Sequence, residues 1–128
     1  MQTYNDFLDN IIKYDLDILE IHSLKLSFSY SNGCGAKGGV RFPSTIWFVN
    51  IEAACNLHDI RWKEAHNYQD LLDANEQFDN DLKKICDSES LFNITRWLRR
   101  LRIAKYVSGV ELYGTESYAQ ERGFDRRS

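Results

Sequence analysis

Apolar residues recur along this chain in two rhythms, and each rhythm predicts an element. Between residues 3 and 20, Phe7, Leu8, Ile11, Ile12, Leu16 and Leu19 fall on helical spacing with acidic residues between them, the pattern of an amphipathic helix. From His22 to Tyr30 the spacing shortens to two. Leu24, Leu26, Phe28 and Tyr30 alternate with Lys25, Ser27 and Ser29, which predicts a short strand or extended segment. Pro43, the only proline, holds Phe42 away from helical geometry. The run from Ser44 to Val49 is apolar and aromatic, with Ile46, Trp47 and Phe48 together, and is either buried or exposed as a membrane-facing rim.

Helical spacing returns at Asn50, a suitable N-cap for a helix to about His66. Asn67 and Tyr68 suit a turn. From about Asp70 to Cys86, Leu71, Ala74, Phe78, Leu82 and Ile85 share one face of a second helix. If the pair runs antiparallel about so short a turn, position 58 faces residues near 75 and 76. A last helix is predicted from residues 87–90 to about Tyr113, with Leu91, Ile94, Trp97, Leu98, Leu101, Ala104 and Val110 as its stripe. Arg96, Arg99, Arg100, Arg102 and Lys105 surround that stripe, and the tail after Tyr118 is expected to fray. The fold class these elements predict is mainly α.

Composition bounds the picture. A chain of 128 residues with 43% hydrophobic content suits one core, so a single domain over 1–128 is expected. Residues 1–89 carry 8 Lys/Arg against 15 Asp/Glu, and residues 90–128 carry 8 against 4, so the two parts are about -7 and +4. The basic part suits either a solvated face or an approach to anionic headgroups, and the acidic total of -3 argues against a nucleic-acid partner. No run of about 18 apolar residues exists to form a transmembrane segment. The first twenty residues lack the basic start and apolar block of a secretory signal peptide. Localisation is left open. Three cysteines, Cys34, Cys55 and Cys86, are too few for the disulfide lattice of a small secreted domain.

The stretch from Ser31 to Trp62 carries the candidate chemistry. Gly33, Gly35, Gly38 and Gly39 stand within seven residues, where the absence of Cβ atoms lets backbone carbonyls and amides converge on an ion. His58 and Asp59 follow on a helix, one potential general base beside one hard carboxylate. His22 and His66 read as surface or hydrogen-bonded histidines, His58 and His66 make a poor zinc pair, and Cys86 reads as a small buried residue.

Cys34-Gly35-Ala36-Lys37-Gly38-Gly39 followed by Cys55-Asn56-Leu57-His58-Asp59 resembles the phospholipase A2 superfamily over residues 30–86. The compact, disulfide-poor form is similar to its bacterial, phage and parvoviral members. The resemblance implies a phospholipase A2-like fold, with a glycine-rich calcium loop, an antiparallel helix pair carrying the His-Asp site, and additional N- and C-terminal helices. It implies calcium-dependent hydrolysis of the sn-2 ester of glycerophospholipids at a membrane surface, the protein binding peripherally. His58 would be the general base, Asn75 would hold the imidazole, and the Gly35 amide would complete the oxyanion hole. Ca2+ would take the Asp59 carboxylate and the carbonyls of Gly33, Gly35 and Gly38. A Cys34–Cys55 disulfide is also implied, and a reducing compartment would leave it open.

Three positions depart from the family pattern. One extra residue separates Gly35 from Gly38, Trp62 stands where a tyrosine usually supports the aspartate, and Asn75 replaces that aspartate. An amide can fix the imidazole tautomer but cannot neutralise an imidazolium. Asp73 or Asp79 would substitute if the helix were rotated. The alternative function is therefore a non-catalytic module of the same fold, a virion or effector component that binds lipid or calcium without turnover.

Overall fold

The computed structural model describes residues 2–18, 21, 23–31, 45–46, 49–88, 100–105, 107–108 and 114–124. The loop with Gly33, Cys34, Gly35 and Gly38 lies outside them, as do Leu19, His22, Trp47, Phe48, Arg96, Trp97 and Arg99. The described residues are mainly helical.

Thr3 opens the first helix, α1 (Tyr4–Tyr14), by accepting from the Asp6 amide at 3.1 Å, which satisfies a first-turn donor. The helix is shorter than the expected span of 3–20 and ends where Asp15 takes left-handed geometry at φ 52°. Phe7 and Ile11 are buried, and Leu16 beyond the helix joins them. Ile12, expected on the same face, is 79% exposed. It lies about 100° around the helix from Ile11, which is enough to turn it to solvent.

The predicted strand over 22–30 is instead a helix, α2 (Leu24–Ser29). An alternating pattern of even-numbered apolar residues also contains the pair Leu24 and Phe28, four apart and therefore on one helical face. Tertiary packing selects that face: Phe28 stacks on Phe7 with ring centroids 4.6 Å apart and meets Tyr4 at 5.4 Å. Leu26 and Tyr30 are left 60% and 64% exposed.

Strands β1 (Thr45–Ile46) and β2 (Val49–Asn50) pair antiparallel, Thr45 opposite Asn50 and Ile46 opposite Val49. The chain then enters α3 (Glu52–Glu64), and Asn50 Oδ1 accepts from the Glu52 amide at 2.8 Å. The N-cap itself is Ile51, one residue after the expected Asn50, whose side chain supports the helix start from two positions ahead of the first helical residue. Asn67 Oδ1 accepts from the Asp70 amide at 2.9 Å to start α4 (Tyr68–Ser88), while Asp70 Oδ2 accepts from the His66 amide at 2.9 Å.

Three residues separate α3 from α4, and contacts move away from that turn on both helices at once: Trp62 with Leu71, then His58 with Asn75. The pair is antiparallel, as expected. Leu71, Ala74, Phe78, Leu82 and Ile85 of α4 are all buried, as their spacing predicts. Eight of the thirteen residues of α3 are buried, which makes it the central helix.

Helical backbone at residues 100–105 and 107–108 places Ile103 in the main apolar cluster with Phe7, Leu57, Phe78 and Leu82. Residues 119–122 of the tail expected to fray belong to a further helix, α5 (Glu116–Arg122), closed by Gly123 at φ 73°, and residues 125–128 lie outside the described residues. Tyr118 stacks on Trp62 at 4.9 Å. Arg122 donates to the carbonyls of Trp62 and Lys63 at 3.3 Å each and of Ala65 at 3.0 Å, at the end of α3, where the Trp62 carbonyl also accepts the Ala65 N–H at 3.2 Å. Among the described residues no helix is long and apolar enough to cross a membrane.

Candidate functional site

His58 projects from the middle of α3 into the seam between the two apolar clusters. Its ring lies 4.4 Å from that of Trp62, one turn later, and 4.8 Å from that of Phe78 on α4. Burial among these rings pushes its pKa from 6.5 to about 4; the Asn75 hydrogen bond opposes the shift and the Arg61 charge adds to it. The imidazole is therefore neutral at physiological pH.

Nε2 of His58 lies 2.7 Å from Oδ1 of Asn75, and Nδ2 of Asn75 donates to Thr115 Oγ1 at 2.9 Å. An amide oxygen only accepts, so Nε2 carries the ring proton and Nδ1 keeps the lone pair. The predicted register of 58 against 75 holds. Asp73 and Asp79 do not substitute: Asp73 accepts from Gln69 at 3.0 Å, and Asp79 pairs with Lys83 at 2.9 Å. Trp62 does not reach Asn75 either, since its indole N–H donates to the Leu71 carbonyl at 3.4 Å.

Asp59 is half-buried on the neighbouring face, in a row with Cys55 and Lys63 at spacings of four. Lys63 Nζ donates to the Tyr30 carbonyl and lies 5.1 Å from the Tyr30 ring. Desolvation lowers the Lys63 pKa, against the opposing pull of Asp59. The chain therefore meets α3 one turn from Asp59, three residues before Gly33 begins the glycine-rich stretch. Cys55 is disulfide-bonded and Cys86 is a buried thiol, while Cys34 lies outside the described residues. Of the predicted metal donors, Asp59 is described and Gly33, Gly35 and Gly38 are not. Among the described residues no three His, Cys, Asp or Glu side chains gather as a metal site.

Two features went unread in the sequence. Thr115 stands 40 residues from Asn75, and no local pattern marks it. Arg61 and Asp81 form an ion pair at 2.9 Å, with Asp81 1% exposed, and Arg61 also donates to the Asp17 carbonyl. A signal for this pair existed, because Asp81 sits on the apolar face of α4 beside Phe78 and Leu82, where an acid needs a cation. A cleft of ≈ 380 Å³ opens beside Arg61, lined also by Asp17, Glu64, Asp70, Asp73 and Gln77, and His58 is not part of it.

Set against protein-family models, curated proteins and solved structures, the chain matches none.

Proposed function

We propose that this chain is a phospholipase A2-like hydrolase of the sn-2 ester of glycerophospholipids, with His58 as its general base. The observation that supports this reading most is the buried His58–Asn75 bond of 2.7 Å, which leaves the Nδ1 lone pair as a proton acceptor. A water held at Nδ1 would lose its proton to the ring as it attacks the ester carbon, a role that contributes roughly 10²–10⁴-fold. The Trp62 and Phe78 rings against the imidazole help keep it desolvated and neutral.

Ca2+ is the proposed cofactor. A donor set of the Asp59 carboxylate with the carbonyls of Gly33, Gly35 and Gly38 is entirely hard oxygen, which suits this ion over softer metals. When bound, the ion would supply Lewis-acid polarisation of the ester carbonyl and charge for the phosphate. The Gly35 amide is proposed as oxyanion donor. A Cys34–Cys55 disulfide would tie the loop to the face that carries Asp59. Peripheral attachment to phospholipid is supported by Leu101, 48% exposed, among Arg100, Arg102 and Lys105.

A second reading is favoured by one observation, the neutral Asn75 behind the histidine. An amide orients the ring but leaves a forming imidazolium without a counter-charge, so the chain would bind lipid or calcium with no turnover. Mixed micelles with a labelled sn-2 chain separate the readings. The hydrolase reading predicts fatty-acid release that requires calcium, stops in chelator and falls to background in His58→Ala. Vesicle sedimentation without released product would establish the binding module instead.

A further inference from the structure

We infer that Thr115 is a positioning residue for this site, its hydroxyl fixing the Asn75 amide with Oδ1 towards His58 and so keeping the imidazole proton on Nε2. Its consequence for catalysis rests on the reading of His58 as general base, while its test does not.

The two ends of an asparagine amide are nearly equal in shape and opposite in hydrogen-bond sense. Asn75 is 2% exposed, so solvent does not choose between them. Rotated by half a turn, the amide would present Nδ2 to the ring. Nε2 would then have to accept, the ring proton would move to Nδ1, and the Nδ1 lone pair would be lost. The partner at the far end decides which orientation holds. Thr115 Oγ1 lies 2.9 Å from Nδ2 and is 2% exposed with its residue. In the structure Thr115 Oγ1 accepts from Nδ2, which leaves Oδ1 for the ring, and Thr115 itself has helical angles, φ -62° and ψ -50°.

The C-terminal helix supplies this contact by design of its docking. Gly114, just before Thr115, passes so close to Trp62 that a Cβ there would come within 3.1 Å of the indole. Tyr118 stacks on the same indole, and Arg122 holds the carbonyls at the end of α3. Thr115 is thereby delivered to the amide nitrogen of Asn75.

The experiment is nitrogen NMR of the histidine rings in the ¹⁵N-labelled full chain at neutral pH, with His58 assigned by its loss in His58→Gln. The wild type is expected to show protonated Nε2, bare Nδ1 and a slowly exchanging ring proton. Thr115→Val, which keeps shape and removes the hydroxyl, is expected to mix the tautomers and speed that exchange at least about tenfold, the loss of a hydrogen bond of about 1.4 kcal/mol. Thr115→Ser is expected to keep the wild-type spectrum. If the valine variant does not fold, Thr115→Ala against Thr115→Ser carries the same comparison. A wild-type spectrum in the valine or alanine variant would overturn the inference, as would a serine variant as altered as these. In the micelle assay, Thr115→Val should lower kcat about tenfold at unchanged KM, with serine restoring it. A wild type without turnover whose tautomer still follows the hydroxyl would sink the hydrolase reading and leave the Thr115 assignment standing.

Discussion

His58 and Arg61 leave α3 less than one turn apart, and they meet burial in opposite ways. Arg61 keeps its charge and closes it on Asp81 and the Asp17 carbonyl. His58 sheds its charge, binds the neutral Asn75 through one nitrogen and leaves the other with a lone pair. Arg61 closes on a charged partner, whereas the neutral chain His58–Asn75–Thr115 leaves a lone pair on Nδ1 of His58. The first arrangement holds α3, α4 and the segment after α1 together, and the second suits proton transfer.

Breaking the charged pair should have the largest effect on stability. Asp81→Ala leaves a guanidinium with 14% of its side chain exposed and without its carboxylate, and should cost about 3 kcal/mol in denaturant unfolding. The double replacement Arg61→Met with Asp81→Leu should recover most of that loss, because both charges leave together.

Acid should sharpen the contrast. The folded pKa of His58, about 4, lies below its ordinary 6.5, so the unfolded chain takes up the proton first as pH falls. Its stability contribution is complete above about pH 6.5 and declines as pH drops through 4, by on the order of 3 kcal/mol in full. Asp81 acts with the opposite sign: burial raises its pKa despite Arg61, so protonation in acid relieves a folded-state cost. Denaturant midpoints between pH 7 and 4 should fall steeply in the wild type and much less in His58→Gln.

Smaller effects test the scaffold around the two groups. Gly114→Ala forces a methyl within 3.1 Å of Trp62 and should cost about 1–2 kcal/mol. Asn67→Ala removes the cap on the Asp70 amide and should cost about 1 kcal/mol, while leaving the His58 ring signals in place. Melting temperatures measure both.

The helix pair was legible in the sequence because its signals are local. Leu71, Ala74, Phe78, Leu82 and Ile85 repeat at helical spacing, Asn67 marks the turn, and three linking residues force residue 58 to face the region of 75. The segment 24–29 was misread because alternation at two and helical pairing at four share the residues Leu24 and Phe28, and only the Phe7 ring, far away in the chain, decides between them. Helix α5 escaped for the same reason: its seven residues are too few to be stable alone, and their order comes from Trp62 and the end of α3. Thr115 came with that helix. Asp81 was readable as an acid on an apolar face, although its partner 20 residues away was not.

The comparison of neutral and charged supports converges on Asn75. Its replacement by Asp keeps the 2.7 Å geometry and gives the imidazolium a counter-charge, a gain of about 1.5–3 kcal/mol in the transition state, or roughly 10–100-fold. The direct measurement is sn-2 fatty-acid release by the wild type and Asn75→Asp side by side, in calcium and in chelator. The account predicts calcium-dependent release by the wild type and faster release by the variant, both abolished by His58→Ala; no release from either protein in calcium would contradict it.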